Sequence, residues 1–182
     1  MRRRGFAFGR QAANPNIPPV LQHAHELMER GDYAQAALAF EQLAGAAEKR
    51  FGPRAPFFYI QAGRARIHLN QKSAGMAHIR HALELFAQSG RYPQLYRTGN
   101  RVAQEFRAAG MEKEAQEIMG LINNHIPAIS ESPTQRGPDP SRLMLPTHCP
   151  SCGGPVRADE ADWIDSSSAE CPYCGSPVRV EK

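Results

Sequence analysis

Apolar residues recur at helical spacing through most of the first 126 positions and fall into six stripes. Leu21, Ala24, Leu27 and Met28 make the first. The second runs unbroken through Tyr33, Ala36, Ala37, Phe40, Leu43, Ala44 and Ala47. The third holds Phe57, Ile60, Gly63 and Ile67, and the fourth Ile79, Ala82, Leu83 and Phe86. Leu95, Gly99, Val102, Ala103 and Phe106 form the fifth; Ala115, Ile118, Met119 and Ile122 form the sixth. Stop signals separate them: Gly31-Asp32, Phe51-Gly52-Pro53, Asn70, Ser89-Gly90, Gly110 and Pro127. The intervening residues are mostly Ala, Leu, Glu, Gln and Arg, good helix formers. Six helices are therefore expected over 17–128. The pattern then changes. Residues 129–147 carry Pro133, Pro138, Pro140 and Pro146, which exclude a helix and predict an extended linker. Within 148–182, Pro155-Val-Arg-Ala, Asp162-Trp-Ile-Asp and Val178-Arg-Val alternate as short strands do, with Trp163 covering one face. Residues 1–16, rich in Arg, Gly and Asn, read as a flexible basic arm.

The stripes repeat as pairs. Turns inside three hairpins fall near Gly31, Asn70 and Gly110, in steps of 39 and 40 residues. Five positions on stand Ala36, Gly75 and Ala115, and seven before stand Ala24, Gly63 and Ala103. Small residues at matched places on both arms of a hairpin let the backbones approach closely. A bulky residue four further on, Phe40, Ile79 or Met119, is expected to fill the gap to the next hairpin.

This pattern resembles the tetratricopeptide-repeat (TPR) family. Gly31, Tyr33, Ala36 and Phe40 in GDYAQAALAFEQLA match the family's turn, small and aromatic positions; Tyr59, Gly63 and Pro127 match others. The period is about five residues longer than the usual ~34, and Lys72 and Glu112 replace the turn tyrosine. A plain helical bundle would share the spacing. The resemblance implies a mainly α fold, a three-repeat superhelix of α-hairpins whose first helices line a groove for a segment of another protein. Carried over, the groove positions are Leu21, His25, Met28, Phe57, Ile60, Arg64, His68, Arg97, Asn100, Gln104 and Arg107. Such a groove is apolar at one end and basic at the other. It would suit an acidic segment or a C-terminal carboxylate with an apolar anchor, because arginine binds carboxylates bidentately. Phe57 and Ile60 as core, and Arg97, Arg101 and Arg107 as a solvated helix face, are the competing readings.

Charge divides the chain the same way. Residues 1–128 hold 17 Lys and Arg against 10 Asp and Glu; residues 129–182 hold 5 against 8. No apolar run approaches the ~20 residues of a membrane span. MRRRGFAFGR lacks the apolar stretch of a signal peptide, so a cytoplasmic protein is expected. His78 and His81, three apart, would share a helix face, but no third ligand stands at matching spacing, which favours surface or groove histidines.

The four cysteines lie in two copies of C-P-x-C-G-x-P-V-R, Cys149/Cys152 and Cys171/Cys174, with 18 residues between the inner pair. Each CxxC turns both sulfurs toward one point, and the following glycine lets the backbone curl and aim amides at them. Four soft donors suit tetrahedral Zn²⁺. The segment is similar to zinc ribbons with two CPxCG knuckles. About 35 residues bury too little apolar area to fold alone, so the metal is expected to supply the stability. A redox CxxC wants a βαβ setting, and catalytic zinc wants an open position. A rubredoxin-type iron centre uses similar knuckles, and spacing alone does not separate it from zinc. His148 stands outside the duplicated motif that holds Cys149.

A zinc ribbon often implies nucleic acid, but Asp159, Glu160, Asp162 and Asp165 oppose Arg157, Arg179 and Lys182, and phosphate affinity rests on positive charge. A protein contact is expected instead, with this chain's own basic helices among the candidates. The arm would meet RNA, a membrane surface or an acidic protein patch, with Phe6 and Phe8 docking as a strand. No nucleophile–base pair, phosphate loop or paired carboxylates stand out, so the expectation is a non-enzymatic adaptor. A nucleic-acid-associated transcription or translation factor and a zinc-dependent thiol-redox or chaperone-like helper are the alternatives.

Overall fold

The computed structural model describes residues 17–50, 52–125, 145–157 and 161–180. The arm (1–16), Phe51, Pro127, most of the linker, Ala158, Asp159, Glu160 and Lys182 lie outside the described residues. Six helices follow one another: α1 (Pro19–Glu29), α2 (Tyr33–Glu48), α3 (Ala55–His68), α4 (Lys72–Gln88), α5 (Tyr92–Ala108) and α6 (Glu112–His125). Each packs on the next, giving antiparallel hairpins. No described helix is long and apolar enough to cross a membrane.

One turn chemistry is used four times. Gly31, Asn70, Gly90 and Gly110 all take a positive φ, between 60° and 77°. The residue after each donates its amide back to the helix just ended: Asp32 to Leu27 O, Gln71 to Arg66 O, Arg91 to Phe86 O and Met111 to Phe106 O. This left-handed cap satisfies the last carbonyls, and Gly or Asn adopts it at low cost. The Asp32 carboxylate then accepts the Gln35 amide at 3.3 Å and caps α2. The α2–α3 connection is built differently, with Gly52 N donating to Ala47 O.

Packing follows the small residues. A Cβ on Gly63 would lie 2.8 Å from Gly75 O, and one on Gly75 would lie 2.7 Å from Gly63 O, so α3 and α4 touch backbone to backbone. Ile79 sits over Gly63 within its own hairpin, and Met119 is only partly buried. A core of Phe57, Ile60, Ile79, Leu83, Phe86, Leu95, Val102, Phe106, Ile118 and Ile122 joins α3 to α6.

Polar ties brace α2, α3 and α4. Glu41 receives Arg66 through both carboxylate oxygens at 2.7 and 2.8 Å and meets His78 Nε2 at 2.9 Å. Glu48 accepts the Tyr59 hydroxyl at 2.6 Å and meets His81 Nε2 at 3.0 Å. Both histidines therefore face carboxylates of α2, a partnership that their own helix does not reveal. Burial, and then the Glu48 carboxylate, pushes the Tyr59 phenol up to about 12.

The C-terminal part forms a three-stranded antiparallel sheet, β1 (Asp162–Trp163), β2 (Ser168–Glu170) and β3 (Pro177–Arg179), in that order. Trp163, Ala169 and Val178 stand opposite one another and so share a face. Pro155 makes only an isolated bridge to His148, and the middle strand is Ser168–Glu170. That strand reads as loop in sequence because serine favours turns. Here the Asp165 carboxylate takes up the turn, accepting from Ser167 N at 2.7 Å and from Ser168 Oγ at 2.5 Å.

Gly63→Ala should destabilise the fold by about 2 kcal/mol through overpacking. Gly45→Ala, where a Cβ meets nothing within 4 Å, should stabilise it by ~0.5 kcal/mol. Urea denaturation of both variants checks the contrast. The hydrogen bond from Arg66, and then that from His78, holds the Glu41 carboxyl below its usual 4.5. A depressed native pKa adds stability above the unfolded carboxyl range, and that share is lost as pH falls through the native value. Glu41→Gln should accordingly flatten the fall in melting temperature below about pH 4.5.

Candidate metal centre and the helical face it covers

Two identical turns bring the cysteines together. Cys149 N donates to Gly154 O at 2.8 Å and Gly153 N returns to Cys149 O at 2.8 Å. In the second knuckle Cys171 N donates to Ser176 O and Gly175 N to Cys171 O, both at 2.9 Å. Gly153 and Gly175 close these turns with φ of 76° and 69°. The curl points amides at sulfur: Ser151 N at Cys149 Sγ, Gly154 N at Cys152 Sγ and Tyr173 N at Cys171 Sγ, each 3.4 Å away.

The four sulfurs lie within 4.8 Å of one another and are buried. Cys149 Sγ is 3.8 Å from Cys174 Sγ, and Cys152 Sγ is 3.7 Å from Cys171 Sγ. Those separations are far beyond a disulfide bond. They are close to the edge of a tetrahedron with ~2.3 Å metal–sulfur bonds, about 3.8 Å. Without a cation such crowded thiols would share protons. Hydrogen bonds among them push Cys149 and Cys174 down and Cys152 and Cys171 up. The residues therefore fit a closed tetrahedral ion and are compatible with structural zinc. His148 is not in this group; its Nδ1 lies 3.1 Å from Thr147 Oγ1.

The three-stranded cysteine unit, called the ribbon from here on only as a label, is seated on the helices. Its cysteines, Val156 and Val178 belong to one buried cluster with Ile17, Leu21, Ala24, Phe40, Phe58 and Ala62. Gly175 rests on the Phe57 ring, where a Cβ would come within 2.4 Å, and Gly153 rests on Ile17. The Tyr173 ring meets His25 edge-on at 5.2 Å. Polar ties frame this contact: Arg97 of α5 pairs with buried Glu170, and Arg54 Nη2 donates to Ser176 Oγ at 3.3 Å.

The predicted groove positions separate accordingly. Leu21, His25 and Phe57 lie beneath the ribbon, and Ile60 belongs to the helical core. Arg97 holds the ribbon. Met28, Arg64 and His68 line a cleft of about 370 Å³ that remains between the helices and the ribbon's Pro155, Pro172 and Tyr173. Asn100, Gln104 and Arg107 do not line it. Gln104 and Arg107 are exposed, and α5 turns Arg101 and Glu105 toward the cleft instead.

Two further residues complete the cleft. Gln61, 1% exposed, reaches it from α3, and its Nε2 has no hydrogen-bond partner among the described residues. His25 Nε2 is in the same condition, and burial pushes its pKa down to about 4, so the ring is neutral at pH 7. At the rim Arg64 pairs with Glu105 through two hydrogen bonds of 3.0 and 2.6 Å, while His68 stacks on Tyr33 at 4.3 Å. The sequence signal for Gln61 was its place four residues after Phe57 and three before Arg64, on the face that the two share.

No family model, curated protein or solved structure matches this chain.

The native protein should carry one metal ion per chain by elemental mass spectrometry. Cys152→Ser and Cys174→Ser should each lower the content more than tenfold, since a site of this kind needs its full donor set.

Proposed function

We propose that this protein is a non-enzymatic adaptor in which a TPR-like array of hairpins holds a segment of another protein, with a zinc ribbon locked against it. The observation that carries the reading is the remaining cleft. It holds an unpartnered amide nitrogen at Gln61 and an unpartnered ring nitrogen at His25, guanidinium groups at Arg64 and Arg101, and apolar surface at Met28 and Tyr173. Buried polar atoms without partners are rare in folded proteins and mark places where another molecule's polar atoms belong. An acidic or C-terminal carboxylate segment with an apolar anchor fits this set. To bind, its carboxylate would take the place of Glu105 on Arg64.

Zinc is the metal of this reading. Four thiolates form a soft, closed sphere with no position left for substrate. Burial of all four sulfurs disfavours a thiol-exchange role, which needs an exposed thiolate. The acidic ribbon disfavours nucleic acid. A reducing compartment such as the cytoplasm suits four free thiols.

The test is fluorescence anisotropy against a peptide library carrying acidic or apolar ends, each with a free and an amidated C-terminus. Selected peptides should bind with little salt dependence, and Gln61→Leu and Arg64→Ala should each weaken them by about tenfold, the scale of a hydrogen bond to a charged group. Failure of every peptide, together with steeply salt-dependent binding of single-stranded RNA, would replace the adaptor by the nucleic-acid reading.

A further inference from the structure

We infer that metal occupancy and closure of the helical face are one linked equilibrium: the loaded ribbon latches over Ile17, Leu21 and Phe57, and loss of the metal uncovers them. This rests on the metal reading of the preceding subsection and adds what the metal controls.

Two knuckle glycines join the cysteine turns to the helical face. Gly153 and Gly175 take the positive φ that lets each turn bring its sulfurs to one point. The same two residues touch the helical part, Gly153 at Ile17 just ahead of α1 and Gly175 at Phe57 of α3. A turn that unwinds therefore withdraws the surface that docks. Conversely, the helices seal the sulfurs: Cys149, Cys152 and Cys171 are fully buried and Cys174 is 3% exposed, in a cluster completed by Leu21, Phe58 and Ala62.

The ribbon has little else to hold it. Its strands are two and three residues long. Such a unit does not keep its shape without its metal, because it buries too little apolar surface of its own. Linkage then works in both directions. If the metal favours the docked state, docking must tighten the hold on the metal by the same factor.

Reciprocity gives a test that leaves the ligands untouched. The Arg97–Glu170 pair joins α5 to β2 and includes no cysteine. Arg97→Ala and Glu170→Gln loosen docking at that pair, and circular dichroism confirms that the helices remain folded. Each zinc-loaded full-length variant is mixed with excess 4-(2-pyridylazo)resorcinol, and zinc transfer is followed by absorbance. Transfer should speed up by about tenfold over wild type, within the usual range for coupled sites. In parallel, complete removal of zinc from the wild-type protein should raise amide hydrogen exchange in α1 and the first half of α3 but not in α6. Transfer rates within twofold of wild type for both variants, or unchanged exchange in α1 and α3 after zinc removal, would overturn the linkage. A native protein that carries no zinc would instead sink the metal reading beneath it, and metal analysis of the untreated protein registers that separately.

Discussion

Gly153 and Gly175 are held to two requirements at once. Each turns left-handed so that a pair of sulfurs converges, and each lies against the helical part, Gly153 at Ile17 ahead of α1 and Gly175 at Phe57 of α3. A side chain at position 175 would meet both demands badly, since the Phe57 ring occupies its space. The cysteine cluster and the interface are therefore built from the same backbone. This explains how a unit with so little sheet ends up sharing a core with α1, α2 and α3. Burying Leu21, Phe58 and the knuckle side chains together yields apolar stabilisation that neither module reaches alone.

The helical half uses the same principle of bare backbone at close approach. Gly63 and Gly75 bring α3 and α4 together, and Gly99 leaves room for Ile122 of α6. The recurring left-handed caps keep the connections short enough that successive helices stay antiparallel. This regularity brings α1, α3 and α5 to one side, where the ribbon finds Ile17 and Leu21, then Phe57, then Arg97. Charge enters the fit at one pair, where Arg97 meets Glu170 in surroundings in which an unmatched carboxylate would be costly.

Much of this was legible in the sequence, and the failures have physical causes. The six helices and their stops follow from apolar period and from Gly, Asn and Pro placement, and the cysteine cluster follows from the duplicated motif. Strand Ser168–Glu170 was hidden because three serines carry turn propensity and its burial comes from neighbours on both sides. The partners of His78 and His81 were hidden because Glu41 and Glu48 lie 37 and 33 residues away on another helix. The groove positions were legible as a face but not as an occupied one. Nothing in the spacing of Leu21 or Phe57 tells that their neighbour is the distant Cys-Gly turn rather than a second protein. Asn100, Gln104 and Arg107 stand outside the cleft, to which α5 contributes Arg101 and Glu105.

The central claim is that the ribbon sits on the helices through its knuckle glycines, and NMR of the metal-loaded protein addresses it directly. The α protons of Gly175 lie against the Phe57 ring, so they should show a ring-current shift and nuclear Overhauser contacts to that ring, with matching contacts between Tyr173 and His25. Unshifted Gly175 resonances without those contacts, in a protein whose cysteines are all metal-bound, would contradict the account.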